Sequence, residues 1–294
     1  MKSKVIITAA ALVIVALVAT YFVVLPSLQP QGRTLRLQFE RLPVLKKGHY
    51  EGWAIFGTEK VSTGKFQVTE AGTTTTLSGA TINGFHSDRD LRAADAIAIT
   101  IEPDGDSDNL PSGIVILFGK VSNGRADLGF PLDISGSTAQ YVLATPTNGD
   151  KVKSQETSGE WYPDLKLPQA PSGWKYEGWA VHGGTVLSTG RFANPNAPDE
   201  FSGYSGVQQP PPIPGEDFLQ NPPQGLTFPI DLADGKSVVA ITIEPDLNGT
   251  DPTGPLPFDL KPFVASIPLG AADHQPFTIP LDMSSFPSGI ATIS

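Results

Sequence analysis

The pentapeptide Tyr50-Glu51-Gly52-Trp53-Ala54 occurs twice, returning 126 residues later as Tyr176-Glu177-Gly178-Trp179-Ala180. At the same offset, Ser62-Thr63-Gly64-Lys65-Phe66 is matched by Ser188-Thr189-Gly190-Arg191-Phe192. Two motifs held at constant separation describe a duplicated hairpin whose turn length has been kept. The duplication continues downstream, where Ala98-Ile99-Thr100-Ile101-Glu102-Pro103-Asp104 recurs as Ala240-Ile241-Thr242-Ile243-Glu244-Pro245-Asp246 at an offset of 142. The second copy has therefore gained sixteen residues, which falls on the proline-rich stretch 208–223. Phe130-Pro131-Leu132-Asp133-Ile134 and Ile279-Pro280-Leu281-Asp282-Met283 extend the correspondence to the end of each copy.

The copies predict an all-β protein of two tandem antiparallel β-sandwich units. Thirty glycines and 28 prolines punctuate the chain, and only 17% of its residues are charged, a composition unsuited to long helices. Leu35, Leu37 and Phe39 alternate with Arg36, Gln38 and Glu40, the period of a half-buried strand. The first unit is expected at residues 34–145, with Tyr141-Val142-Leu143-Ala144 as its closing strand. A polar linker spans 146–158, and the second unit occupies 159–294. Polyproline cannot join a central sheet, so the 208–223 insert is expected at the surface.

Residues 5–25 form an uncharged apolar run behind Lys2 and Lys4. At ~1.5 Å per residue it is about 31 Å long, enough for a hydrocarbon core of ~30 Å. A transmembrane anchor is expected there, with a cytoplasmic tail at 1–4 and a spacer at 26–33. A cleaved signal peptide is the alternative, but its apolar region would be shorter and end in small residues. Long domains translocate largely regardless of flanking charge, so the bulk is expected on the extracytoplasmic side of the plasma membrane. The net charge of −10 argues against a nucleic-acid partner, and the lack of cysteine removes disulfides and thiolate metal sites.

The repeated aromatic residues Tyr50, Trp53, Phe66, Tyr176, Trp179 and Phe192 are expected in the core. Tyr50 and Trp53 share a face only if a bulge breaks the alternation, and Glu51 and Glu177 would then point outward. Asp104, Asp106 and Asp108 stand at alternate positions of a loop that could wrap Ca²⁺, although a solvated turn is the simpler reading. His49, His86, His182 and His274 are scattered and read as ordinary surface or turn residues. Glu102 and Glu244 end strands before prolines. Pro214, Glu216, Asp217 and Phe218 of the insert are the candidate partner-binding residues. No nucleophile elbow, phosphate loop or zinc-protease motif is present.

The order Tyr-Glu-Gly-Trp, Ser-Thr-Gly-Lys/Arg-Phe, then Ile-Thr-Ile-Glu-Pro-Asp before a Pro-Ser/Thr-Gly turn resembles the extracytoplasmic C-terminal domain of anti-sigma-K factors. Residues 50–118 carry the resemblance once and 176–258 carry it again. It implies a duplicated, membrane-tethered sandwich ectodomain with no enzymatic activity or resident cofactor. The family's cytoplasmic sigma-binding domain would precede the anchor, where only residues 1–4 stand, so sigma sequestration is not expected. The expected role is non-enzymatic binding, sensing or support in the cell envelope, with an envelope protein or glycan as partner. The alternatives are a Ca²⁺-stiffened surface module and an envelope hydrolase with a carboxylate site between the units.

Overall fold

A computed structural model describes residues 32–149 and 155–294. The expected anchor at 5–25, the tail before it and most of the spacer lie outside the described residues. Among the described residues no helix is long and apolar enough to cross a membrane.

The described chain is all-β. Glycine and proline break it into short strands, and a 3-10 turn at Leu91–Ala93 is capped by Asp90. The first copy supplies β1 (Thr34–Glu40), β2 (His49–Phe56), β3 (Glu59–Val68), β4 (Thr74–Thr75), β5 (Phe85–His86), β6 (Ala96–Glu102), β7 (Val115–Lys120) and β8 (Arg125–Gly129). After β9 (Thr138–Leu143), the second copy supplies β10 (Gly159–Lys166), β11 (Trp174–His182), β12 (Thr185–Phe192) and β13 (Gly215–Asp217). It continues through β14 (Val238–Pro245), β15 (Phe263–Ser266) and β16 (Phe277–Ile279) to β17 (Ser288–Ile293).

These strands form three antiparallel sheets, ordered β4-β3-β2-β6-β7-β8-β17-β1-β5, β13-β10-β9-β16 and β12-β11-β14-β15. The two copies share most neighbour relations, although the second lacks a β4 equivalent and is split between β15 and β16 where the first is joined at β7 and β8, and they exchange one strand. The last strand of the chain, β17, lies between β8 and β1 of the first copy. In the matching slot of the second copy, between β16 and β10, lies β9. Tyr141-Val142-Leu143, expected to close the first unit, thus pairs in the second, and the final strand closes the first. Strand pairing crosses the boundary drawn at residue 145. The physical reason is connectivity: β9 and β10 follow one another in the chain, with residues 144–158 between them, and consecutive strands pair more readily than distant ones.

Burial follows the alternation. In β9, Ala139, Tyr141 and Leu143 are buried, and in β17 Ala291 and Ile293 are. One apolar cluster runs through both copies, from Leu35, Tyr50 and Phe66 to Tyr176, Phe192, Ile279 and Ile293. The folded ends also meet, because Thr34 N donates to Ser294 O at 3.0 Å and Ser294 N to Thr34 O at 2.9 Å.

Candidate functional site

The twice-repeated hairpin builds a buried carboxylate network on the sheet face opposite the apolar core. Along β2, Tyr50, Gly52 and Ala54 face one way, and His49, Glu51 and Trp53 face the other. The β2–β6 ladder is unbroken, pairing Tyr50 with Ile101, Glu51 with Thr100 and Trp53 with Ala98. Tyr50 and Trp53 therefore lie on opposite faces, contrary to the shared face expected. All six repeated aromatics are buried, but Trp53 and Trp179 stand outside the apolar cluster, over polar groups.

The irregularity falls on the neighbouring strand. Gly52 pairs with Gly64 and Trp53 with Ser62, so Thr63 is an extra residue in β3. The same shift at Gly178/Trp179 leaves Thr189 extra in β12. A bulge lets two residues three apart in sequence share a face, and here it directs both Ser62 and Lys65 toward Glu51. Gly64 and Gly190 adopt φ +133° and +117° at the bulge, a region that favours glycine. Gly52 and Gly178 make room for the extra threonine: a Cβ there would lie 2.4 Å and 2.2 Å from the Oγ1 of Thr63 and Thr189. The two repeated motifs are thus the two sides of one bulged hairpin.

Glu51 and Glu177, expected to point outward, are buried. Ser62 Oγ donates to Glu51 Oε1, and Ser188 Oγ to Glu177 Oε1 at 2.6 Å. The cations of the bulge flank them, with Lys65 Nζ 3.7 Å from Glu51 Oε2 and Arg191 Nε 3.6 Å from Glu177 Oε2. Beside each lies a second carboxylate. Trp53 Nε1 donates to Thr100 Oγ1 at 2.8 Å, and Thr100 donates to Glu102. Trp179 Nε1 donates to Thr242 Oγ1 at 2.7 Å, and Thr242 to Glu244. Backbone amides complete the acceptance, Ser112 N for Glu102 and Phe258 N for Glu244. Burial pushes Glu177 up to about 7 and Glu244 up to about 8, and it raises Glu102 in the same direction. Loss of solvent penalises the charged form, and the hydrogen bonds only partly offset it.

His49 is buried in this network, not at the surface, and both burial and Lys65 lower its pKa. His182 is half-buried with Nδ1 2.9 Å from Ser237 Oγ, while His86 and His274 are exposed. The three aspartates of the expected Ca²⁺ loop do not converge. Asp104 Oδ1 accepts from Gly48 N at 3.0 Å, and Asp108 Oδ1 from Leu110 N at 2.7 Å. Asp106 Oδ2 lies 2.7 Å from Lys65 Nζ, which holds its carboxyl below the usual range. Among the described residues, the only cluster with three His, Asp or Glu ligand atoms within 4.8 Å of one another is His49, Glu51 and Asp106. Alternation places His49 beside Glu51, but no spacing rule announces that the loop after β6 folds back onto both.

The insert also departs from expectation. Pro214, Glu216, Asp217 and Phe218 are buried, and Gly215–Asp217 joins the sheet as an edge strand against β10. An edge tolerates the adjoining prolines because one side of the strand needs no ladder donor. Glu216 accepts from Ser205 Oγ, and Asp217 from Trp161 Nε1 at 2.7 Å and from Thr147. These acids brace the β9–β10 hairpin from inside. Exposed apolar surface in this region lies instead at Val207. A groove of about 410 Å³ runs where the copies adjoin, lined by Arg41, Val68 and Glu70 from one side and Asp259, Lys261 and Ser285 from the other.

No protein-family model matches this chain, and neither a curated protein nor a solved structure does.

Proposed function

We propose that this is a membrane-anchored, extracytoplasmic, non-enzymatic protein whose two β-sandwich repeats act as one rigid binding or supporting module of the cell envelope. The observation that carries the reading is the reciprocal exchange of closing strands. Each repeat is completed by a strand from the other half of the chain, so neither can separate without breaking its own sheet. A body locked in this way suits a spacer or docking platform more than a hinged cleft enzyme, where domain motion is the usual device.

The buried carboxylates favour the same reading over an envelope hydrolase. Glu102 and Glu244 each accept from a threonine and a backbone amide of their own repeat, so their oxygens are engaged within the scaffold. The groove between the repeats is the surface a partner protein or glycan would meet, together with the exposed tip around Val207. The anti-sigma-K likeness of the motifs agrees with a tethered ectodomain.

The test is protease shaving of intact cells followed by alkaline washing of the membranes. The reading predicts that residues 34–294 are digested from outside, that the chain resists the wash, and that crosslinking at Lys261 captures envelope components. Recovery of the chain in the soluble cytoplasm, or crosslinked to a sigma factor, would overturn it.

A further inference from the structure

We propose that the first repeat holds a single divalent transition-metal site of the zinc class, built from His49, Glu51 and Asp106. One ligand atom from each of these residues lies within 4.8 Å of the others. His49 is 5% exposed and Glu51 2%, and both His49 Nε2 and Glu51 Oε2 are buried without a hydrogen-bond partner. Gln67 lies on the same face two residues beyond Lys65, donates through Nε2 to Gly48 O at 2.7 Å, and leaves its own Oε1 buried and unpartnered. Buried acceptors are normally satisfied. Two orphaned acceptors in the cluster and a third on the adjoining strand, with the Lys65 ammonium no nearer than 3.7 Å to Glu51 Oε2, mark a place where a cation completes the structure.

The second repeat supplies an internal comparison. At the 126-residue offset, His49 corresponds to Lys175, Lys65 to Arg191 and Gln67 to Ala193, and at the 142-residue offset Asp106 corresponds to Asn248. Two built-in cations serve the second network: Lys175 Nζ and Arg191 Nη1 each lie 3.4 Å from Asp246 Oδ1. The first network has Lys65 alone, and imidazole, amide and carboxylate stand where the second has ammonium, methyl and amide. The copies thus differ at the residues able to ligate a metal, and the copy with ligand chemistry is the one short of a fixed cation.

An imidazole with two carboxylates suits zinc better than calcium, which takes more oxygens. Zinc–ligand bonds of ~2.0–2.2 Å place ligand atoms roughly 3.4 Å apart, so the three side chains must draw together by about an ångström. Lys65, with 28% of its side chain exposed, is the group that must move aside.

The test uses the full chain in detergent, without a polyhistidine tag, stripped with chelator and titrated calorimetrically with Zn²⁺. The expected result is one site per chain of micromolar affinity or tighter. His49→Ala should weaken it by more than the ~10- to 100-fold that loss of a supporting partner costs, and Lys65→Met should tighten it. Absence of stoichiometric binding in the wild type, unchanged affinity in folded His49→Ala, or no gain in Lys65→Met would overturn the proposal. Should His49→Ala fail to fold, the wild-type Co²⁺ complex decides. A paramagnetically shifted resonance from one histidine imidazole supports the site, and its absence refutes it.

Discussion

Ending the chain at residue 287 removes β17, and the exchange of strands dictates where the damage falls. β17 contributes six register pairs with β1 and five with β8. An antiparallel ladder carries about one hydrogen bond per pair, and at ~0.5–1.5 kcal/mol each these eleven sum to roughly 5–15 kcal/mol. That range matches the whole stability of an ordinary domain. Losing buried Ala291 and Ile293 adds to it. Hydrogen exchange read by mass spectrometry should therefore find protection lost first from β1 and β8, at the opposite end of the sequence from most of the second copy. Ile293→Ala gives a milder version, at ~2–5 kcal/mol, for use if the truncated chain aggregates. Loss of protection confined to β10 and β16, with β1 and β8 intact, would mean that the closing strand stays in its own half and that the exchange is wrong.

The absence of cysteine allows a direct check, since Arg36→Cys with Thr292→Cys joins residues paired across β1 and β17. Paired residues stand ~4.5–5.5 Å apart, within disulfide reach, so oxidation should yield an intramolecular crosslink; a chain that stays reduced or crosslinks only between molecules contradicts the pairing. Glu177 and Glu244 carry pKa values raised from 4.5 to about 7 and about 8. The folded state therefore binds more protons than the unfolded, and this stability is full below about pH 4.5 and lost as pH rises through 7 and 8. The Glu244 share of the effect is at most about 5 kcal/mol, so urea midpoints should fall from pH 5 to 9 and Glu244→Gln should flatten the fall; equal slopes in both proteins refute it. Gly52→Ala brings a Cβ to 2.4 Å from Thr63 Oγ1 and should cost ~1–3 kcal/mol. In a double-mutant cycle Thr63→Ala should recover part of that loss, and strict additivity would deny the contact.

Why some features were legible and others not follows from the range of the interactions behind them. Strands at 34–40, 49–56 and 96–102 follow from the two-residue period, because alternate side chains meet alternate environments wherever the strand sits. Ser62 and Lys65 stand three apart yet serve one carboxylate, and that spacing beside Gly64 was a readable sign of the bulge that the tryptophan argument placed on the wrong strand. Burial of Glu51, Glu177, Glu216 and Asp217 was not readable. A carboxylate is stable inside only if donors converge on it, and those donors come from positions as distant as Thr147 and Trp161 for Asp217.

By itself the sequence determined that the chain is a duplication, that it is built of strands, and where its hairpins turn, since offsets, alternation and glycine positions are local properties. Only the tertiary structure decided which sheet receives each closing strand. β9 and β17 carry the same alternation and fill equivalent slots, so nothing within six residues distinguishes them. The choice rests on chain connectivity and on contacts more than a hundred residues away. It likewise decided that His49, Glu51 and Asp106 meet, because a loop after one strand returns over the face of another.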